Sequence, residues 1–243
     1  VVVIPDGKDP DEFIKKNGPE RFKALLEGAV SDIEYKLLMA LNPFNVYKVH
    51  GNDYLKLLTC CTVNTFRTFP IGKARHVIFC DNGGKVLVDG ICIRTGEEDY
   101  LAFNLVDPNF LNMQMGNPFK FECENLRENY AVIQLCGIHS LEVVEQVCRQ
   151  DLHDLRFMYS CEAKIDGKAV RILRTGMAGT LAYEIHTTAA DAPYVYQKLL
   201  DLDKKYGVQE IGRICYVNQH CEGSIFQLAE HYNIRFEMEG DKF

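Results

Sequence analysis

Ala74-Arg-His-Val-Ile-Phe-Cys-Asp-Asn-Gly-Gly-Lys-Val-Leu-Val-Asp-Gly-Ile-Cys-Ile93 consists of two apolar, strand-like runs joined by the turn cluster Asp81-Asn-Gly-Gly84. A turn of this kind between two such runs predicts a hairpin, and a hairpin makes its strands antiparallel. The same texture continues on the carboxyl side. Strands are expected over 74–80, 86–93, 100–105, 119–123, 131–135, 157–165, 168–174 and 182–187, with a second hairpin turn at Asp166-Gly167. Single helices are expected among them over 52–59, 140–149 and 191–206, the last followed by Gly207. A strict alternation of strand and helix would give a doubly wound parallel sheet. This order is mixed, so it predicts an α+β fold with mixed or antiparallel sheets and packed helices.

The amino end has a different texture. Asp9 can cap a helix with Pro10 at its first position and Asp11 and Glu12 at its positive end, and Gly18 stops it. Pro19 opens a second helix, with Phe22, Leu25 and Leu26 on one face and Gly28 after its end. Ser31-Asp-Ile-Glu34 is a capping-box pattern ahead of Tyr35, Leu37, Leu38 and Leu41. A short helical arm is therefore expected over 1–40 and a larger domain over 41–243.

Of the 243 residues, 47% are apolar and 25% charged, a balance that suits a globular chain with a sizeable core. The apolar runs fall far short of the roughly 20 residues of a membrane helix, and no basic-then-apolar leader opens the sequence. A membrane protein and an exported one are both disfavoured. With 34 acids against 27 bases and no Lys/Arg-rich run, no direct nucleic-acid binding is expected. The ten cysteines form no C-x-x-C pair and sit mostly in apolar stretches, so they read as buried thiols of a cytoplasmic protein. Cys215, His220 and Cys221 are the tightest metal-like group, but an adjacent His-Cys pair does not converge easily on one ion, and no metal is expected. The seven histidines are scattered, and none pairs in sequence with a nucleophile.

Two resemblances lie on either side of the seam. Val3-Ile-Pro-Asp-Gly-Lys-Asp-Pro-Asp-Glu-Phe-Ile-Lys-Lys-Asn-Gly18, continuing to Glu27, resembles the end of the Toprim core of bacterial replicative primases. The acidic metal-binding motifs of that family have no counterpart here, so primer synthesis is not implied. The arm carries six bases against eight acids, which does not suit DNA contact. It reads either as a replication-associated interaction segment or as a fused piece.

Four motifs stand out over residues 45–232: Val49-His-Gly-Asn-Asp-Tyr-Leu-Lys-Leu-Leu58, Gly72-Lys-Ala-Arg75, Gly84-Lys-Val-Leu-Val-Asp-Gly-Ile91, and Arg174-Thr-Gly-Met-Ala-Gly179 with Ala182-Tyr-Glu-Ile185. Together they resemble the folate-binding family of the glycine-cleavage T-protein, the aminomethyltransferase, whose relatives include tetrahydrofolate-dependent O-demethylases of methoxylated aromatics. Three departures stand out. Thr180 replaces the signature's first Glu, Cys136-Gly-Ile138 replaces a Q-G-P turn, and Tyr216 in Ile214-Cys-Tyr-Val-Asn-Gln-His-Cys-Glu222 replaces an Arg. A Tyr followed by Asn in this region is closer to the demethylase branch. The family's further amino-terminal strands and carboxy-terminal barrel have no counterpart, so the domain reads as incomplete at both ends.

What the resemblance implies is one-carbon transfer to tetrahydrofolate from a small-molecule methyl donor. O-demethylation of a methoxylated aromatic is favoured, with aminomethyl transfer or folate binding without turnover as alternatives. Asp89 is the carboxylate expected beside the folate N5, where it can accept a proton; otherwise it is a turn or edge-strand acid facing water. Glu184 alternates with Tyr183 and Ile185, so it can aim acceptor oxygens at the pterin, or else is a solvent-facing strand acid. Tyr183 joins it as an expected cofactor contact. Tyr216 can protonate the departing phenolate, or is a core aromatic with its hydroxyl tied down. Asn104 matches a family asparagine near the folate, or forms a turn before Asp107-Pro108. Glu222 holds the cofactor pocket, or caps a helix.

Overall fold

The computed structural model describes residues 10–18, 20–21, 45–176, 180–211, 221 and 223. The chain divides by its internal contacts into two units, 1–40 and 41–243. In the first, α1 (Pro10–Asn17) carries Lys15 and Lys16 in its last turn, where cations complement the negative helix end. Gly18 closes it in the left-handed region at φ +82°, donating its N–H to the Ile14 carbonyl at 2.8 Å. Of the helix expected after Pro19 only Glu20 and Arg21 are described, both helical, and the helix expected after Ser31 lies outside the described residues.

The second unit runs β1 (Val46–His50), α2 (Asp53–Cys61), β2 (Ala74–Cys80), β3 (Val86–Arg94), β4 (Asp99–Phe103), α3 (Pro108–Gln114), β5 (Glu122–Asn125), β6 (Tyr130–Cys136), α4 (Ser140–Cys148), β7 (Tyr159–Ile165), β8 (Lys168–Arg174), β9 (Ala182–Thr188), α5 (Ala192–Leu200) and α6 (Asp203–Tyr206). A five-stranded sheet has the order β2-β3-β4-β1-β5, and a four-stranded sheet the order β6-β9-β8-β7. Every strand pair in both is antiparallel. The α+β class expected from the mixed order of elements is the one observed.

Alternation along each strand sorts the side chains into three cores. Tyr100 and Ala102 of β4 meet Tyr54, Leu57 and Leu58 of α2 on the outer face of the first sheet. Tyr183 and Ile185 of β9 meet Val143 and Val144 of α4 and Val195 and Leu199 of α5 on the outer face of the second. Between them, Ala74, Ile93, Leu101 and Phe103 of the first sheet pack with Leu173, Tyr130 and Val132 of the second. The unit is thus layered helix, sheet, sheet, helix. The sheets are also joined through backbone at one edge, where Ala74 donates to the Met158 carbonyl at 2.8 Å and Ser160 to that of Gly72 at 2.7 Å.

Several boundaries differ from the sequence reading, each for a local reason. The strand expected over 119–123 begins at Glu122, because the Phe119 and Lys120 N–H groups bond the side chains of Asn112 at 3.1 Å and Asp53 at 3.0 Å instead of a ladder. The strand expected to reach 105 stops at Phe103, since Asn104 turns to φ +54°. The strand expected from 157 starts at Tyr159, after Met158 at φ +59°. The single helix over 191–206 is two, α5 and α6, interrupted at 201–202. β1 and α3 were not expected at all.

Candidate functional site

Asp89 lies on β3 on the same face as Ile91 and Ile93, so it belongs to the inner surface that meets the second sheet. Its side chain is 15% exposed, and Oδ2 lies 2.6 Å from Nε2 of the half-exposed His76. The hairpin register sets this contact, because Ile78 pairs with Asp89 and His76 with Ile91, bringing His76 and Asp89 together along a diagonal. Gly90 is required next to it. A Cβ there would stand 2.8 Å from Leu105 Cδ2, 2.9 Å from the Asn104 carbonyl oxygen and closer still to that of Phe103. The chain leaving β4 therefore lies directly on β3, and Asn104 Nδ2 donates to the Asp89 carbonyl oxygen at 3.0 Å. Asp89 and Asn104, two of the residues singled out in the sequence, are neighbours here.

Glu184 lies on β9, paired with Gln134 on one side and Leu173 on the other. Leu173 belongs to the core between the sheets, so Glu184 also faces inward. Its side chain is 15% exposed, and Oε2 lies 3.1 Å from Nε2 of His186 two residues on. The His186 ring is buried against Phe103 of the opposite sheet and Tyr130, with ring centres 5.0 and 5.9 Å away. Arg171, the register partner of His186, donates to Ser160 Oγ at 3.2 Å and to Glu162 Oε1 at 2.8 Å. Burial, followed by the interaction with Glu184, raises the Tyr130 hydroxyl pKa against the lowering effect of Arg171. Each of the two carboxylates is thus within hydrogen-bond distance of a histidine, Asp89 on the face of β3 that carries Ile91 and Ile93 and Glu184 on the face of β9 that carries His186.

Tyr183 is not brought to this surface. It is buried on the opposite face of β9 among the residues of α4 and α5, and burial raises its hydroxyl pKa. Tyr216 and Glu222 lie outside the described residues. His76 and His186 were missed in the sequence. The i, i+2 spacing of Glu184 and His186 on a strand was a usable signal for the second, whereas His76 meets Asp89 only through the hairpin register. A pocket lined by His50, Gly51 and residues 119–122 lies elsewhere, at the end of β1. Among the described residues no group of three or more His, Cys, Asp or Glu side chains is placed to hold a metal ion, and no helix is long and apolar enough to cross a membrane.

Paired carboxylate oxygens accept from adjacent N–H donors, so a ring with an amino group beside a ring N–H, as a pterin has, fits Glu184. A second carboxylate, oriented by contact with a half-exposed imidazole as Asp89 is by His76, can take a proton.

The chain is 34% identical over 202 residues to the sesamin methylene transferase of Sinomonas sp. (strain No.22), covering 83% of this chain and 44% of that protein. It is 26% identical over 182 residues to the aminomethyltransferase of Saccharopolyspora erythraea, covering 73% of this chain and 50% of that one. It spans about half the length of the curated relatives it matches. The fold is shared with the glycine cleavage system aminomethyltransferase T from Bartonella henselae, at a TM-score of 0.64 and 17% identity over 80% of this chain and 55% of that one. It is shared also with the heterotetrameric sarcosine oxidase from Corynebacterium sp. U-96, at 0.52 and 17% over 70% and 84%. The profile of the GCVT N-terminal domain matches residues 29–231. With most of its length matched in this way, the chain belongs to the GCVT N-terminal domain family.

Proposed function

We propose that the protein binds tetrahydrofolate through Glu184 and transfers a one-carbon unit to it, with a methoxylated aromatic as the methyl donor. The observation that supports this reading is that Asp89 and Glu184 are each a partly buried carboxylate within hydrogen-bond distance of a histidine. Tetrahydrofolate supplies N5 as the acceptor of the carbon. Glu184 accepts hydrogen bonds from the pterin amino and N–H groups and sets the ring's orientation, which is where most of the rate advantage of a two-substrate transfer arises. Asp89 accepts the N5 proton at its carboxylate, and His76 Nε2, 2.6 Å from Oδ2, orients that carboxylate. Asn104 holds the Asp89 backbone in place. Tyr216 gives its proton to the phenolate oxygen as the C–O bond breaks, so that one C–O bond is exchanged for one C–N bond.

A methyl or methylene donor is favoured over an aminomethyl one by Tyr216, which stands where the T-protein has an arginine, and by the similarity to a relative named for methylene transfer. The aminomethyl donor is the second reading, supported by the several aminomethyltransferases among the relatives. Incubation of the 243-residue chain with tetrahydrofolate and a methoxybenzoate, beside a calorimetric titration with tetrahydrofolate alone, tests the proposal. Equal amounts of methyltetrahydrofolate and the phenol are expected. Binding without product would leave a folate-binding protein, and no binding would end the reading altogether.

A further inference from the structure

His186 has an unusual environment for a histidine. The side chain is 1% exposed, Nε2 lies 3.1 Å from Glu184 Oε2, and Nδ1 is buried without a hydrogen-bond partner among the described residues. That unpartnered nitrogen determines where the proton must be. With the proton on Nδ1, a buried N–H would be left unsatisfied, and the bare Nε2 lone pair would point at a carboxylate oxygen. Both are unfavourable. A doubly protonated ring would leave the same unsatisfied Nδ1–H. Only the neutral ring protonated at Nε2 uses every buried proton: it donates to Glu184 and leaves Nδ1 as a lone pair among aromatic rings.

We propose that His186 is a positioning residue, fixed as the neutral Nε2–H tautomer, that holds Glu184 Oε2 and so sets the carboxylate in the orientation that receives the pterin. This rests on the pterin reading of Glu184. A neutral donor suits the role, because it orients the carboxylate without cancelling the negative charge that attracts the ligand's N–H groups. Phe103 and Tyr130 pack against the ring and fix its plane.

Long-range nitrogen–proton NMR of the full chain labelled with ¹⁵N-histidine reads the tautomer directly. At neutral pH a protonated Nε2 and an unprotonated Nδ1 are expected at His186; the reverse pattern, or two protonated nitrogens, overturns the proposal. Two variants then separate hydrogen bonding from packing. His186→Phe keeps an aromatic ring against Phe103 and Tyr130 but removes the donor, and is expected to weaken tetrahydrofolate binding by about tenfold or more. His186→Gln reaches Glu184 with an amide N–H and is expected to bind within about threefold of the unaltered chain. Tighter binding by the Phe variant than by the Gln variant, with comparable melting temperatures, would assign His186 to packing alone and overturn the role. If the unaltered chain fails to bind tetrahydrofolate, the pterin reading falls and the role with it, while the NMR result still decides the tautomer.

Discussion

At the residue scale, the two inward carboxylates are expected to respond differently to loss of charge. Glu184→Gln removes an ionised acceptor and should weaken tetrahydrofolate binding by about tenfold to a hundredfold, measured by calorimetry. Asp89→Asn should leave binding closer to normal and lower single-turnover transfer by about 10²–10⁴, the usual contribution of a positioned base. A variant of Asp89 with full turnover would remove it from the proton path. Gly90→Ala introduces a methyl group into the carbonyl oxygens of Phe103 and Asn104, and overpacking of this kind should lower stability by about 3 kcal/mol in urea melts. Strand alternation in the sequence already set Glu184 on the face opposite Tyr183 and Ile185, and the structure has Tyr183 in the core under α4 and α5. Neither histidine partner was legible in the same way. His76 reaches Asp89 only once the register of β2 on β3 is known, and the burial of His186 depends on Phe103, which is far away in the chain.

At the scale of elements, what was legible depended on how local the determinants are. The β2–β3 and β7–β8 hairpins were read because Asp81-Asn-Gly-Gly84 and Asp166-Gly167 contain their own turn chemistry, with Asp166 at φ +47° and Gly167 at +86°. β1 escaped notice because its partners β4 and β5 are set by distant sequence. α3 was legible in principle and was passed over as a turn. Asp107 caps it, accepting from the Asn109 N–H at 2.8 Å, and Pro108 occupies its first turn. Asp107→Ala should therefore cost about 1 kcal/mol, seen as a lower urea midpoint with an unchanged slope, while Asp107→Asn should be close to neutral.

At the scale of the molecule, burial divides the thiols by reactivity. Cys92 is fully buried between β3 and its neighbours, and burial pushes the Cys123 and Cys148 thiols up to about 12, so little thiolate is present in any of them near neutrality. Cys60 is exposed. Brief alkylation of the native chain followed by peptide mass spectrometry should label Cys60 and Cys221 early and Cys92 only after denaturant is added; early labelling of Cys92 would contradict the layered core. The strand order has a further consequence during synthesis. Among the described strands β1 is the earliest of its sheet, yet it sits between β4 and β5, and β6 likewise waits for β9. On the ribosome, the nascent β1 therefore emerges with both hydrogen-bonding edges unmatched until the segments that flank it have been translated. Chaperone engagement in that interval suits a topology whose earliest strand closes the sheet last.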